Sequence, residues 1–167
     1  MVGRILKSQA DIEEGLDWLG AQDASLARAI ELAGEVPLRR RADGYPALLS
    51  AIVSQQVSVA SASAIWARLE AAGMTEMEAV AGCTEETLTE CGLSRQKRRY
   101  ARALAESGID FNALAEEPDA EIVKTLTAVT GIGVWTAEIY AMFSLGRADL
   151  FAAGDLALQE SARLIYE

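Results

Sequence analysis

Apolar residues recur along this chain every three or four positions, and no long run alternates apolar and polar residues as a half-buried strand would. This spacing predicts an all-α protein made of short helices joined by tight turns. The first half should contain a helical pair at residues 11–20 and 25–33, ended by Gly34 and Pro37. Two further helices follow, the second of them capped by Ser58. Their predicted apolar faces are Leu48, Leu49, Ile52 and Val53 in one, and Ala62, Ile65, Trp66 and Leu69 in the other.

The second half is predicted to add helices that begin at a short polar residue and stop at a glycine. Thr84 begins a short helix, and Ser94 caps a basic helix that runs to Gly108. Asp119 should cap the next helix, and Asp155 occupies the N-cap position of the last one. The predicted inward residues are Ile122, Leu126 and Val129 after Asp119, and Trp135, Ile139, Met142 and Phe143 in the helix that follows. No composition shift divides the chain, so we expect one domain over residues 1–167.

The stretch "LTAVTGIGVWTAEIYAMF" predicts two helices separated by Gly131-Ile132-Gly133, a hairpin unit over about 119–145. Glycine reaches backbone angles that strain other residues, and its missing side chain lets another molecule approach the backbone. The N–H groups of Gly133, Val134 and Trp135 would face outward at the positive end of the helix dipole, which suits a phosphate oxygen and reads no base sequence. The alternative is a purely structural turn.

Carbonyl groups on the incoming side of the break are a candidate site for an alkali ion held between protein and phosphate. The oxygens assigned to this sodium or potassium ion are those of Thr127, Val129 and Ile132.

Composition limits both the class of protein and the catalytic chemistry that this chain can carry out. The 167 residues are 51% hydrophobic, which is enough for one buried core, and no apolar run approaches the roughly 20 residues that span a bilayer. A polar N-terminus argues against a signal peptide, so we expect a cytoplasmic protein. We also expect it to be a monomer. The chain has no histidine, which excludes Ser-His-Asp triads and histidine acid-base catalysis. Its two cysteines are too few for a four-cysteine metal site.

The net charge of −10 argues against nucleic acid as a partner, since phosphate binding rests on Lys and Arg. The distribution of charge argues the other way, because residues 93–105 carry five basic side chains and no acidic one, and residues 39–41 are all arginine. Arg98 and Arg99 are candidate phosphate contacts. The alternative is that both clusters are solvated faces.

The segment "LTAVTGIGVWTAEIY" followed by "DLFAAGD" resembles the helix-hairpin-helix/Gly-Pro-Asp superfamily of base-excision DNA glycosylases. "VWTAE" with "AIVSQQVS" is most similar to its 3-methyladenine DNA glycosylase II branch, and the resemblance covers residues 45–167. It implies an all-α, two-lobed fold with the active cleft between the lobes. It also implies double-stranded DNA with alkylated bases as the partner, gripped by the hairpin beside a flipped-out base.

Asp155 matches the catalytic aspartate of this family, although Ala153-Gly154 precedes it where the superfamily has Gly-Pro. The implied role is an ionised carboxylate that stabilises the sugar cation formed as the base leaves, and that orients the attacking water. The alternative is a plain N-cap. The two roles are compatible, because a helix N-terminus also keeps a carboxylate ionised.

Trp135 stands where relatives similar to endonuclease III carry a nucleophilic lysine. The resemblance therefore implies a monofunctional enzyme without Schiff-base chemistry, and two cysteines cannot hold the iron–sulfur cluster of those relatives. No cofactor is required. The indole offers a stacking face for the extruded base. The alternative is a core aromatic residue.

Gln56 matches the family residue that fills the gap left by the flipped nucleotide, against the alternative of a polar loop at Gln55-Gln56. Tyr45 either lines the base pocket or anchors its helix. Relatives continue beyond the helix that follows the aspartate, so this chain is expected to be truncated or to lack the closing helices. The competing functions are a non-enzymatic helix-hairpin-helix DNA-binding module and an acidic helical adaptor.

Overall fold

In the computed structural model, which describes residues 2–167, helices are the main secondary structure, and the all-α prediction is confirmed. Within those residues the only β pairing is an isolated antiparallel bridge between Ile5 and Arg147. No helix there is both long and apolar enough to cross a membrane. The helices are α1 (Gln9–Gln22), α2 (Ala24–Ala33), α3 (Gly44–Ser54), α4 (Val59–Ala71), α5 (Met77–Gly82), α6 (Glu85–Glu90), α7 (Arg95–Ala105), α8 (Phe111–Leu114), α9 (Asp119–Thr127), α10 (Val134–Phe143) and α11 (Leu156–Tyr166).

Polar side chains begin several helices as predicted. Ser58, Thr84 and Ser94 each accept a hydrogen bond from the backbone N–H three residues ahead, at the starts of α4, α6 and α7. The prediction for α9 was wrong, because Pro118 is its N-cap and Asp119 is its first helical residue. A proline has no N–H to satisfy at a helix start, and the Asp119 carboxylate pairs instead with an arginine of a later loop.

The hydrophobic core lies in α3 to α10, which we call the large lobe. The apolar faces predicted for α3 and α9 are buried there. Helices α1, α2 and α11 form a small lobe, in which α2 packs against both of the others and no residue is fully buried. Exposed large apolar residues concentrate on these three helices, among them Trp18, Leu19, Leu32, Leu156, Leu164 and Tyr166.

Two tryptophans that periodicity assigned to the core lie elsewhere. The buried residues of α10 are Ala137, Tyr140 and Ala141, not the predicted stripe, and Trp135 is exposed. On α4 the buried residues are Ala62, Ile65 and Leu69, while Trp66 packs only at the edge of the core. The face of α10 that packs on the core carries Ala137, Tyr140 and Ala141, and Trp135, two residues before Ala137, lies on the other side of the helix.

A buried arginine joins the end of the large lobe to the loop before α9. The Arg147 side chain donates hydrogen bonds to the carbonyls of Ala115 and Glu117 at 2.7 and 2.8 Å and pairs with Asp119 at 3.4 Å. On either side of it, Leu6 N–H donates to the Gly146 carbonyl and Ala148 N–H to the Arg4 carbonyl. The strand-like segment before α1 is therefore fixed to the segment after α10.

Replacing Arg147 with Met should lower the free energy of unfolding by about 3 kcal/mol, the low end of the range for a broken buried ion pair, because Asp119 keeps some contact with water. Urea denaturation measures this loss. Arg163→Met is the matched control, since Arg163 makes only exposed ion pairs with Glu160 and Glu167 and should cost less than about 1 kcal/mol. Equal losses in the two variants would contradict a structural role for the buried charge.

Candidate active site

The turn between α9 and α10 uses its two glycines for different reasons. Gly131 has a φ of 101°, and a Cβ atom there would collide with the ring of Tyr100, so both the backbone angle and the packing require glycine. Gly133 has an ordinary φ of −88°, and a Cβ atom there would meet nothing within 4 Å, so this glycine is open to an approaching molecule. Between them, Ile132 is buried and its N–H donates to the Val129 carbonyl at 3.1 Å.

The first turn of α10 faces solvent. No side chain caps this helix, and Gly133, Val134 and Trp135 are all exposed. Their N–H groups lie at the positive end of the helix dipole, so the geometry suits a phosphate oxygen. The phosphate-binding role assigned to the hairpin stays a prediction.

The alkali-ion site at the hairpin also stays a prediction. Of its three assigned oxygens, that of Val129 already accepts the Ile132 N–H and keeps one lone pair for an ion. Within residues 2–167, no group of three His, Cys, Asp or Glu side chains could hold a metal.

Asp155 is both a helix cap and a partner of Trp135. Its Oδ1 accepts the N–H groups of Ala157 and Leu158 at 2.8 and 3.1 Å, as the N-cap prediction requires. Its Oδ2 accepts the indole N–H of Trp135 at 2.7 Å. The pKa of Asp155 lies below its ordinary value, chiefly because of the Trp135 donor and then because of the Leu158 N–H. The carboxylate is therefore held in its charged form.

Backbone contacts hold Asp155 in place without the proline that precedes the aspartate in the superfamily name. Ala152 is fully buried and its carbonyl accepts the Asp155 N–H at 2.9 Å, which closes a turn through Ala153-Gly154. The side chain of Gln159 donates to the Ala153 carbonyl from the first turns of α11. These contacts fix the carboxylate at the helix start.

Trp135 is not a core residue. It is 51% exposed, lies on the first turn of α10, and presents its ring to a pocket while its N–H reaches Asp155. The alternative that it is a core aromatic is wrong.

The pocket beside Trp135 has a volume of about 470 Å³ and lies between α3 and α10. Both helices belong to the large lobe, so this pocket does not lie between the lobes, where the family resemblance implied the cleft. Helix α3 explains why it exists, since its large apolar residues point into the core while small residues occupy the opposite face. Those small residues are Ala47, Ser50, Ala51 and Ser54. Leucines at these positions would fill the space, so the pocket is a direct result of the sequence of α3.

Two side chains of this pocket were missed as site residues by sequence reasoning. Trp66 lines it, and its indole N–H donates to Oε1 of Glu70 at 2.8 Å. Arg41 also lines it, with its guanidinium 5.3 Å from the centre of the Phe143 ring. The available signal was the i, i+4 spacing of Trp66 and Glu70, which lets the two side chains meet on one face of a helix.

The Gln55-Gln56 turn lies against the hairpin. The side-chain amide of Gln55 donates to the Gly131 carbonyl at 3.0 Å. Gln56 is exposed and has a φ of 55°, the one positive φ of a non-glycine residue within 2–167. Lys97 stabilises the chain just before this turn, since its buried Nζ donates to the Val53 carbonyl in the last turn of α3. A left-handed backbone at a residue other than glycine is strained, so the conformation of Gln56 persists only because these surrounding contacts impose it.

Tyr45 does not line the pocket. It is 4% exposed, its hydroxyl donates to the Ala101 carbonyl at 3.4 Å, and burial raises its pKa. Its assignment to the base pocket is therefore wrong, and Tyr45 anchors α3 on α7. The ring is part of the core because it begins the same apolar face as Leu48 and Leu49.

The basic helix α7 divides into a structural and a free face. Arg98 is paired with Glu85 at 2.8 Å, donates to the Leu93 carbonyl, and has only 17% of its side chain exposed, so its assignment as a phosphate contact does not fit. Arg99 is exposed, and its guanidinium lies 5.4 Å from the centre of the Tyr100 ring. Because Tyr100 packs on Gly131, Arg99 remains a candidate phosphate contact near the hairpin.

The family model described as HhH-GPD superfamily base excision DNA repair protein matches residues 49–167, and the chain belongs to this family. The matched residues include the hairpin between α9 and α10 and the aspartate at the start of α11, whereas α1 and α2 precede them.

Relatives of known name agree with this assignment. DNA-3-methyladenine glycosylase 1 of Schizosaccharomyces pombe is 28% identical over 160 residues, which are 89% of this chain and 70% of that protein. The putative DNA-3-methyladenine glycosylase YfjP of Bacillus subtilis is 26% identical, over 97% of this chain and 60% of that protein. The chain thus spans about 60 to 70% of the length of these two relatives.

Solved structures share the fold. The crystal structure of DNA-3-methyladenine glycosidase from Bacillus halodurans has a TM-score of 0.81 and 40% identity, over 88% of this chain and 71% of that one. The Schizosaccharomyces pombe 3-methyladenine DNA glycosylase (Mag1) in complex with abasic DNA has a TM-score of 0.75 and 26% identity, over 92% and 80% of the two chains.

The two hairpin glycines should respond differently to alanine. Gly131→Ala should lower the free energy of unfolding by about 1–3 kcal/mol, since it adds backbone strain and a collision with Tyr100. Gly133→Ala should cost less than about 1 kcal/mol, because its surroundings are open and only the N-cap preference for glycine over alanine is lost. The same Gly133 variant should weaken binding to duplexes of any sequence equally, if a phosphate approaches there.

Denaturant unfolding and fluorescence anisotropy on two unrelated duplexes measure these effects. A Gly133→Ala protein with unchanged affinity for both duplexes would remove the hairpin from the DNA-binding surface.

Proposed function

We propose that this protein is a monofunctional DNA glycosylase that excises alkylated purines of the 3-methyladenine type by base flipping and hydrolysis of the N-glycosidic bond. The observation that carries the proposal is the charged Asp155, hydrogen-bonded to a half-exposed Trp135 beside a pocket of purine-accommodating size. The names of the relatives and of the Mag1 complex with abasic DNA support it.

The hairpin supplies the grip on the DNA backbone. In this proposal the N–H groups of Gly133, Val134 and Trp135 hold a phosphate, and Arg99 adds a charge on the same side. A sodium or potassium ion on the carbonyls of Thr127, Val129 and Ile132 would add a bridge to the same phosphate. None of these contacts reads base edges, which suits an enzyme that must scan any sequence.

Gln56 stabilises the flipped state. Extruding a nucleotide costs a few kcal/mol of stacking and pairing, and a side chain that fills the gap offsets part of this cost. Gln56 is exposed on a turn with a left-handed backbone, so its side chain is accessible to an approaching duplex. Gln55 holds the turn at a fixed place beside the hairpin.

The chemical step requires a fixed negative charge near the sugar. As the bond from C1′ to the base nitrogen breaks, its electron pair leaves with the base and the deoxyribose becomes a cation. Asp155 stabilises that cation and orients a water, whose oxygen bonds to C1′ while its proton passes to the carboxylate or to solvent. A cationic alkylpurine leaves as a neutral base. Trp135 stacks on the base, with added cation–π attraction when the base is charged.

Strand cleavage by a lysine is not expected. The chain has only Lys7, Lys97 and Lys124, and none lies next to the hairpin glycines in sequence as a lyase nucleophile would. Lys97 is buried, and its amine is engaged with the Val53 carbonyl. On methylated DNA the product should therefore be free base and an intact abasic strand, with no adduct trapped by borohydride.

Asp155→Asn should lower the rate of base release from methylated DNA by ~10²-fold or more, as for removal of one preorganised electrostatic group. Asparagine caps a helix about as well as aspartate, so α11 should persist, and binding to lesion DNA should survive. Single-turnover base release, with circular dichroism to monitor the fold, measures both effects.

Asp23→Asn is the matched control. Asp23 caps α2 through the N–H groups of Ser25 and Leu26, and its other oxygen accepts the hydroxyl of Tyr166, so its contacts mirror those of Asp155. This variant should release base at the wild-type rate. Base release at the full rate by a well-folded Asp155→Asn protein would show that Asp155 is only a helix cap. If the unaltered protein binds DNA but releases no base, the non-enzymatic DNA-binding module is favoured.

Trp135→Phe should move the acid limb of the pH–rate profile to higher pH. The indole N–H holds the pKa of Asp155 below its ordinary value, so losing this donor raises the pKa, and the carboxylate is then neutralised at a higher pH as the solution is acidified. Single-turnover rates on a hypoxanthine duplex, with release from DNA alone subtracted, measure the limb. Trp66→Phe is the control, because this indole lines the same pocket but donates to Glu70. A shift of equal size in both variants would contradict the assignment.

A further inference from the structure

A second cavity adjoins the proposed base pocket and is open to solvent, since Val57 and Val59, which line it, are exposed. It has a volume of about 340 Å³ and is lined by residues of α3, α4 and the turn between them. Three residues line both spaces: Ser50, Ser54 and Trp66. The two serines are small, so the indole of Trp66 is the bulky group at the boundary.

The Trp66 ring is held in place by its own helix. Its N–H donates to Oε1 of Glu70, one turn further along α4, at 2.8 Å. Glu70 also lines the second cavity. The rest of the ring packs against the edge of the core, so its orientation is set from both sides.

We propose that Trp66 is a specificity-determining residue that closes the back of the base pocket and limits the size of the alkyl group that an excised purine can carry. Glu70 is the positioning residue that holds the indole across the boundary. This inference rests on the proposed function. It concerns which alkylated purines fit the base pocket, whereas Asp155 and Trp135 act on any alkylated purine that has entered it.

The chemistry of the second cavity defines what a larger pocket would accept. Apart from its serines and Glu70, its walls are apolar, supplied mainly by Val53, Val57, Ala62 and Ala67. With the indole removed, the joined space would take an uncharged apolar extension such as a benzyl group. A methyl group needs no such extension, so the unaltered protein should favour methylpurines.

The test compares the release of benzylated and methylated purines from DNA treated with a benzylating or a methylating agent. The readout is the ratio of single-turnover rates, benzyl over methyl, with free bases separated by chromatography. Trp66→Ala should raise this ratio by at least about 10-fold, since changes of pocket size discriminate substrates by about 10- to 200-fold. Trp18→Ala is the control, because Trp18 is an exposed tryptophan of α1 in the small lobe, and its ratio should equal that of the unaltered protein.

Two further variants decide the matter if Trp66→Ala does not fold. Glu70→Ala removes the hydrogen bond that orients the ring and should raise the ratio, whereas Glu70→Gln keeps an acceptor and should leave it unchanged. Equal ratios in Glu70→Ala, Trp66→Ala and the unaltered protein, in the presence of normal methylpurine release, would overturn the inference and leave the proposed function intact. Absence of methylpurine release by the unaltered protein would overturn both.

Discussion

The hydrogen bond from the Trp135 indole to the Asp155 carboxylate is the contact on which the rest of the site depends. It joins the first turn of α10, in the large lobe, to the N-cap of α11, in the small lobe. One carboxylate thereby satisfies two orphan N–H groups of a helix and fixes the plane of an aromatic ring. The same donors keep the Asp155 carboxylate ionised. Its charge is thereby held next to the Trp135 ring and the hairpin that precedes it.

Helix α3 provides the complementary half of the site because its two faces differ in side-chain volume. Leu48, Leu49, Ile52 and Val53 pack into the core, and the small residues opposite them leave a pocket. The last turn of the same helix leads into the Gln55-Gln56 turn. A single helix thus sets the depth of the pocket and the position of the residue proposed to plug the duplex.

Sequence periodicity predicted the helices and the core of α3 and α9 well, because regular burial of one face leaves a regular apolar pattern. It failed for Trp66 and Trp135, since a pocket wall and a core are both apolar and periodicity cannot separate them. It also could not separate Arg98 from Arg99, because the partner of Arg98 is Glu85, on a different helix. The hairpin and Asp155 were found through the family resemblance, and spacing alone would have left them as a turn and a cap.

The Gln55 bond to the Gly131 carbonyl has a mechanical consequence. It ties the turn that carries Gln56 to the turn that carries Gly133. The two proposed points of contact with DNA are therefore held at a set separation. In the proposed complex, the phosphate contact at Gly133 and the opened base step at Gln56 would therefore lie at one set distance from each other.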